Sequence, residues 1–525
     1  MNNLGVLYRW MGNPDAESCF RQAWEIQRRA LGDKHAAIAD TLNNIAVLHD
    51  EMGDYLMARR FYKQAIATYR STLGEKHPKY GLGLHNLAML LHAMGDYGRA
   101  EPLYRQASEI WRVAFGQTHP NLAISLYNLA RLCAATGREA EACEYFRQVA
   151  AMHDEAIREI FSFGSENERM AYLAIIRTIL DGYLSLIVLH TPAVRQAVPD
   201  GLDAVLRRKG IGAEALAAQR DAVLGGRYLG LRSELQKLTA LRRRIARKAL
   251  DGPGREGQEG HRRLLAEWSA EKDQVEAALV RQIPEINLAR KLRVADRHAI
   301  ASALPAGAAL VEFVHFDAFD FGAVPARGEL QWKPARYLAF VLPSGEADAP
   351  RLVDLGEAEP IDRLVVRVRA AMAGGRDLTV KTAKASPGGG NDGSDLRARV
   401  FDPLVKVLGE STRLFLAPDG ELARLPFESL PTVHGRRLID DYLFSYVGTG
   451  RDLLRFGTPA SAGAGEALVA ADPDLTSEAT AWQGALHRGP GVARATSREP
   501  GCTLVGSRAR GERASRSLAF SGVRR

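Results

Sequence analysis

The chain has 525 residues, 46% of them hydrophobic and 25% charged, a balance that excludes disorder throughout and, at this length, implies roughly two to four domains. Its formal charge of +8 is concentrated from Arg488 onward, where nine Arg stand against two Glu. The rest is close to neutral, with no basic stripe of the kind that tracks a phosphate backbone, so no nucleic-acid partner is expected. Cys19, Cys133, Cys143 and Cys502 form no CxxC pair and no metal spacing, which points to a reduced, cytoplasmic setting with no metal and no cofactor. No signal peptide opens the chain. The most apolar stretch, 171–190, contains Arg177 and Asp181 and reads as an amphipathic helix instead of a membrane span, so no membrane is expected as a partner.

Three segments superimpose without gaps at a period of 42, starting at Gly32, Gly74 and Gly116. Each opens with a turn holding His35, His77-Pro78 or His119-Pro120, and continues with Leu-x-Asn-(Ile/Leu)-Ala at 42–46, 84–88 and 126–130. A glycine follows at 53, 95 and 137, then Ala58, Ala100 and Ala142, with Tyr62, Tyr104 and Phe146 four residues beyond. Small and aromatic residues at helical spacing on either side of a glycine predict a helix, a turn and a helix in each copy. Residues 2–31 form a further copy, one residue shorter at its Gly12 turn, with Asn3, Ala16, Phe20 and Ala23 in the matching places. Its first helix is cut at Met1, and arrays of this kind normally end on a polar cap, so an incomplete start is expected.

This spacing resembles the tetratricopeptide repeat, whose usual period is ~34, and more closely the 42-residue variety of kinesin light chains. The resemblance covers residues 2–157 and implies an all-α superhelical solenoid that binds proteins or peptides in a concave groove. It places Asn3, Asn44, Asn86 and Asn128 on the groove surface. An amide offers donors and an acceptor, so such a column can pair with the backbone of an extended peptide. The same amides could equally tie neighbouring helices together. His35, His77 and His119 lie one whole repeat apart, too far to share a zinc ion, and are read as turn residues. Cys133 replaces Leu91 of the preceding repeat and is expected in the core; Cys143 replaces Arg59 and Glu101 and is expected to be more exposed.

From 158 to 300 the pattern stays helical without the period. Leu231, Leu235, Leu238, Leu241 and Ile245 form one stripe, and Leu264, Leu265, Trp268, Val275, Leu279 and Ile283 another, predicting an antiparallel hairpin around a loop at 251–260. The charges at Arg242 to Arg244 read as a solvated face.

Beyond residue 301 short β-rich runs at 310–316, 337–342, 352–355, 413–417 and 467–471 alternate with helical stretches at 361–372 and 396–408, the signature of a layered α/β domain. The glycine-rich insertion 386–394 lacks the Gly-Lys-(Ser/Thr) ending of a phosphate-binding loop. The strings Tyr337-Leu-Ala-Phe-Val-Leu-Pro, Arg413-Leu-Phe-Leu-Ala-Pro-Asp-Gly-Glu-Leu-Ala-Arg-Leu-Pro-Phe-Glu-Ser-Leu, Asp441-Tyr-Leu-Phe-Ser-Tyr-Val and Ala467-Leu-Val-Ala-Ala-Asp-Pro resemble the CHAT family, the caspase-like domain found beside tetratricopeptide arrays. Val205-Leu-Arg-Arg-Lys-Gly is similar to its helical lead-in.

That resemblance implies a cysteine peptidase with a thiolate and a histidine base. The motifs that would carry them, of the types His-x-Ala-Thr-His-Gly and Leu-Ser-x-Cys-(Glu/Asp)-Thr-Gly, do not occur in the sequence, and Cys502 stands in Pro-Gly-Cys-Thr. Ser429, His434 and Asp440 are close in sequence without being arranged as a triad. A parallel sheet lacking central strands would leave apolar faces open and be less stable than the repeats. The expected organisation is therefore repeats at 1–157, a helical region at 158–300 and a partial caspase-like domain at 301–525. The expected function is a protein-interaction scaffold without a catalytic residue, the alternative being a fragment of a caspase-like peptidase whose catalytic half lies beyond residue 525.

Overall fold

The computed structural model describes residues 1–32, 34–163, 165–189, 197–212, 229–251, 256–282, 295–374 and 392–455, which lie in one compact unit, Met1–Phe456. Eight helices pack in antiparallel pairs: α1 (Asn2–Trp10) with α2 (Ala16–Leu31), α3 (Ala36–Glu51) with α4 (Tyr55–Leu73), α5 (Pro78–Ala93) with α6 (Tyr97–Phe115), and α7 (Pro120–Ala135) with α8 (Glu139–Phe163). Each pair turns on a glycine at positive φ, between +65° and +81° for Gly12, Gly53, Gly95 and Gly137, a conformation that would cost a residue with a Cβ ~1–2 kcal/mol. Ala58 and Ala100 share a buried cluster with Tyr62 and Tyr104. The small residue lets two helices approach, and the ring fills the space left beside it. Polar ties act within and between copies as well: Asp40 accepts hydrogen bonds from Tyr69 Oη of its own copy at 2.8 Å and from Lys79 Nζ of the next at 2.7 Å.

α9 (Glu166–Leu189) follows the array and lies between α8 and the sheet, and α10 (Ala197–Arg208) packs beside it. The segment Asn167–Val188 is long and apolar enough to cross a membrane, but its apolar residues Tyr183, Leu184, Leu186 and Ile187 are buried in the protein core. The hairpin forms from α11 (Arg232–Asp251) and α12 (Gly257–Gln282). The expected loop at 251–260 is shorter than its glycines suggested, because Gly257 and Gly260 occupy the first turn of α12, where backbone N–H groups need no helical partner. The arginines there are not merely solvated: Arg242 Nη2 donates to the fully buried Glu276 at 2.8 Å, and the Arg244 guanidinium lies 3.8 Å from the centre of the Trp268 ring.

α13 (Arg297–Ala303) leads into a five-stranded sheet of order β3-β2-β1-β4-β5, from β1 (Ala308–Phe319), β2 (Trp332–Pro343), β3 (Arg351–Glu357), β4 (Arg413–Ala417) and β5 (Leu443–Tyr446). It is mixed and not parallel throughout. β1, β2 and β3 pair antiparallel, while β4 runs parallel to β1 with Leu310 opposite Phe415, and β5 parallel to β4. The exposed strand β5 went unread because its four residues show no alternation. The predicted helix 396–408 is two helices, α15 (Asp392–Val400) and α16 (Asp402–Leu408), since Pro403 cannot continue a helix from Phe401. The strand expected at 467–471 and residues 386–391 of the insertion lie outside the described residues.

Neither face of the sheet is left bare, contrary to the expectation drawn from missing strands. Ala309, Val311 and Phe313 of β1 point into a core made with α14 (Ala358–Ala373), α15 and α16. Leu310, Val314 and Phe316 point the other way, into a core shared with α9, α10 and the last repeat, which contributes Ala130, Cys133, Ala142 and Phe146. The repeat array and the sheet are thus packed around one continuous interior. Among the described residues β3 and β5 are the edge strands, and on β5 Leu443 is 60% exposed.

Candidate functional site

The four asparagines occupy different depths. Asn3 is exposed, Asn44 half-buried, and Asn86 and Asn128 are buried. Asn44 Nδ2 donates to Asn2 Oδ1 at 3.1 Å, and Asn86 Nδ2 repeats the tie one copy later to Asn43 Oδ1 at 3.0 Å. Each recurring asparagine therefore holds the residue just before its counterpart in the preceding copy. Asn128 departs from this pattern because His85 stands where an acceptor amide would be; its Oδ1 accepts from Arg131 Nη1 at 3.1 Å. Arg131 also donates to Gln331 Oε1 at 3.1 Å and stacks 4.7 Å from the Phe319 ring, so the column ends against the β1–β2 connection.

His35, His77 and His119 are turn residues with a definite task. Each Nδ1 accepts the backbone N–H two residues ahead, from Ala37, Lys79 and Asn121 at 3.1 to 3.2 Å, and so caps α3, α5 or α7. Histidine stands outside the usual capping residues, which is why the sequence showed a turn and not its chemistry. Cys133 is buried, as expected. Cys143 is buried too, against expectation, because α10 covers the outer side of α8. Burial pushes the two thiols up to about 11 and about 12, the opposite of an activated nucleophile. Cys502 lies outside the described residues. Ser429 Oγ donates to the Pro426 carbonyl at 2.7 Å and Asp440 accepts from the Arg437 N–H at 2.9 Å, so both serve local turns, and His434 is exposed. The three are not brought together.

The carboxyl end of β4, the kind of place where open α/β sheets commonly hold ligands, is occupied here by a buried clasp that also grips the middle of β1, where Glu312 stands opposite Ala417. Lys209, just past α10, donates from Nζ to Glu312 Oε1 at 2.7 Å, to the Phe313 carbonyl at 2.8 Å and to the Ala417 carbonyl at 2.6 Å. Glu312 is wholly buried, and its other oxygen accepts the Gly450 N–H at 2.7 Å. Burial pushes the Glu312 carboxyl up, and the Lys209 ammonium pulls it back. Arg451 closes the group by donating to the Leu206 and Lys209 carbonyls. The two residues before Lys209 reach the other way: Arg207 donates to Asp154 at 3.0 Å, and Arg208 to Asp154 at 2.8 Å and to the Ala150 carbonyl at 2.9 Å, both on the last repeat helix. Arg207-Arg208-Lys209 therefore fastens the array and the sheet to one short helix. The signal for it was present as a glutamate inside the apolar run 310–316, an acid that burial obliges to find a partner.

The string after β4 is structural in the same sense. Asp419 accepts the His315 N–H at 3.0 Å, and Tyr337 Oη donates to Asp362 at 2.7 Å while accepting the Glu421 N–H at 2.9 Å. Only glycine fits at 420, where φ is +56° and a Cβ would lie 2.4 Å from Tyr337 Oη.

The tetratricopeptide repeat family model matches residues 1–71 and 81–155, and the CHAT domain model residues 391–498. Among solved structures, the kinesin-light-chain-type repeat protein of Podosopora anserina is similar in two crystal structures. Each is 25% identical over 34% of this chain and 82% of that one, with TM-scores of 0.28 and, for a substituted form, 0.29. BtubC (BKLC) from P. vanneervenii is 24% identical over 28% of this chain and 59% of its own, with a TM-score of 0.27. No curated protein matches the chain. The chain carries a tetratricopeptide repeat array in its N-terminal part, and a CHAT domain is present behind it.

Proposed function

We propose that the chain is a protein-interaction scaffold whose repeats bind extended peptides and whose caspase-like region does not cleave them. The observation that carries the reading is the use to which reactive groups are put. Among the described residues every thiol is buried, and Ser429 and Asp440 are spent on turns. The carboxyl end of β4 and the adjoining middle of β1 hold a structural ion pair in a place where α/β sheets commonly bind ligands. In this reading Asn3 and Asn44 make the peptide contact, Asn44 through the Oδ1 left over from its bond to Asn2, while Asn86 and Asn128 hold the helices that present them.

The test is paired. With a peptide recovered by pull-down on the full chain, Asn3→Ala alone, which removes no tie between helices, should weaken binding by ~0.5–1.5 kcal/mol and leave the melting temperature nearly unchanged, and adding Asn44→Ala should weaken it by as much again. Unaltered affinity would remove the inner surface from the account. A panel of Arg-, Lys- and Asp-directed fluorogenic peptides should show no turnover, and turnover abolished by Cys502→Ala would make the chain a peptidase.

A further inference from the structure

The outer helices of the repeats carry a cation at a fixed place, Arg21, Lys63, Arg105 and Arg147, each 42 residues from the next. Three of the four are paired on their own helix, Arg21 with Glu17 and Arg105 with Glu101 at 2.7 Å, and Arg147 with Glu144. Lys63 is different. Where Glu17 and Glu101 stand, α4 has Arg59, and where Glu25 and Glu109 stand it has Ala67. Both acids are gone, leaving α4 with four cations and no carboxylate, and Lys63 is exposed with no ion-pair partner among the described residues. Arg70 finds Glu75 beyond the helix end at 2.6 Å.

The exchange of Glu for Ala67 does more than change the charge. Ala67 lines a groove of about 600 Å³ between α4 and α6. Tyr80, Leu84 and Leu87 of α5 form its floor, Leu103 of α6 one wall, and Ile66 with Ala67 the other, with Lys63 and Arg70 on the rim. An apolar trough edged by cations, one of them unpaired, is complementary to an apolar side chain flanked by carboxylates.

We propose that this outer groove binds an acidic segment of a partner protein that inserts one or two aliphatic side chains between α4 and α6 while its carboxylates meet Lys63 and Arg70. The assignment deepens the scaffold reading and rests on it, but it lies on the face opposite the asparagines. The segment recognises by charge and shape together, so neither a purely acidic nor a purely apolar chain satisfies the site.

The experiment uses the full chain and three fluorescein-labelled peptides of about twelve residues: one of Glu and Leu, one with Lys for every Glu, and one with Ser for every Leu. Fluorescence anisotropy should show binding of the Glu/Leu peptide and affinities lower by about tenfold or more for the other two. Lys63→Glu and Ala67→Trp, both on the exposed side of α4, should each weaken the Glu/Leu peptide by about tenfold, while Val366→Ala on the exposed side of α14 leaves it unchanged. Wild-type binding by both outer variants, equal binding of the Glu and Lys peptides, or no binding of any would overturn the proposal. Loss with Val366→Ala alone would overturn it as well. Capture by phosphatidylserine vesicles in place of the peptide, sensitive to Lys63→Glu, would also overturn it.

Discussion

The asparagine tie of the repeats is between neutral groups and recurs, whereas the most deeply buried polar group of the sheet region is charged and occurs once. In the array, Asn86 meets Asn43 and Ser108 meets Ser125, and the asparagine tie has its counterpart one copy away. In the sheet region, Lys209 and Glu312 hold the backbone of β1, the end of β4 and the last 3₁₀ turn, Gly450–Arg455, on a single constellation. A repeat that loses one tie still has its neighbours. A buried pair that loses one partner leaves an uncompensated charge. The two designs therefore fail differently, and acid, point substitution and crosslinking should separate them.

Acid should have the largest effect, and it should fall on the repeats. Burial lowers His85 and His92 to about 3 and His153 to about 4. A histidine whose folded pKa is depressed stabilises above its unfolded value of ~6.5 and loses that stability as pH falls toward the folded one. At pH 5 each should cost ~2 kcal/mol, about 6 together. Asp181 on α9 has the opposite sign. Burial raises its carboxyl to about 7, Arg177 at 4.0 Å being too distant to offset the lost hydration, so its stability is gained as pH drops below 7 and recovers ~3 kcal/mol by pH 5. Hydrogen exchange at pH 7 and pH 5 should show amides of α5 and α6 losing protection while those of α9 hold. Equal loss in both would break the contrast.

Next in size is the clasp. Lys209→Ala strands Glu312 in the core and should cost ~3–5 kcal/mol, whereas Lys209→Met with Glu312→Leu, which removes both charges, should recover most of it. Urea denaturation of the three proteins is the measurement. A double variant as unstable as the single one would mean that the hydrogen bonds to the Phe313 and Ala417 carbonyls, and not the charge, hold the junction.

The same contrast explains what could be read from the sequence. Period, glycine turns, alanine and aromatic positions repeat in register, so the helix pairs were legible from spacing alone. The six residues of Val205-Leu-Arg-Arg-Lys-Gly showed only a family likeness, because their partners Asp154, Glu312 and Ala417 lie up to 208 residues away and nothing periodic marks them. Cys143 was misplaced for a related reason: the repeat pattern describes an outer helix facing solvent, and α10, which covers it, is not a repeat. The acids missing from α4 are plain in the sequence, but only alignment with α2 and α6 on an outer surface gives their absence meaning.

A smaller effect sharpens the asparagine assignment. Asn86→Ala leaves Asn43 Oδ1 without its donor in a buried setting and should lower stability by ~1–3 kcal/mol without touching a bound peptide directly. A variant with full stability and weakened peptide binding would return Asn86 to the binding surface.

Whether proteins bind through the repeats at all is tested most directly by photocrosslinking at three exposed places on the full chain. A photoreactive residue would be introduced singly at Asn3 on the inner surface, at Lys63 on the outer groove and at Val366 on α14, which is 56% exposed. Partner adducts at Asn3 or Lys63, and none at Val366, are the result expected of a repeat-borne scaffold. Adducts confined to Val366 would contradict it and move the binding surface to the α/β region.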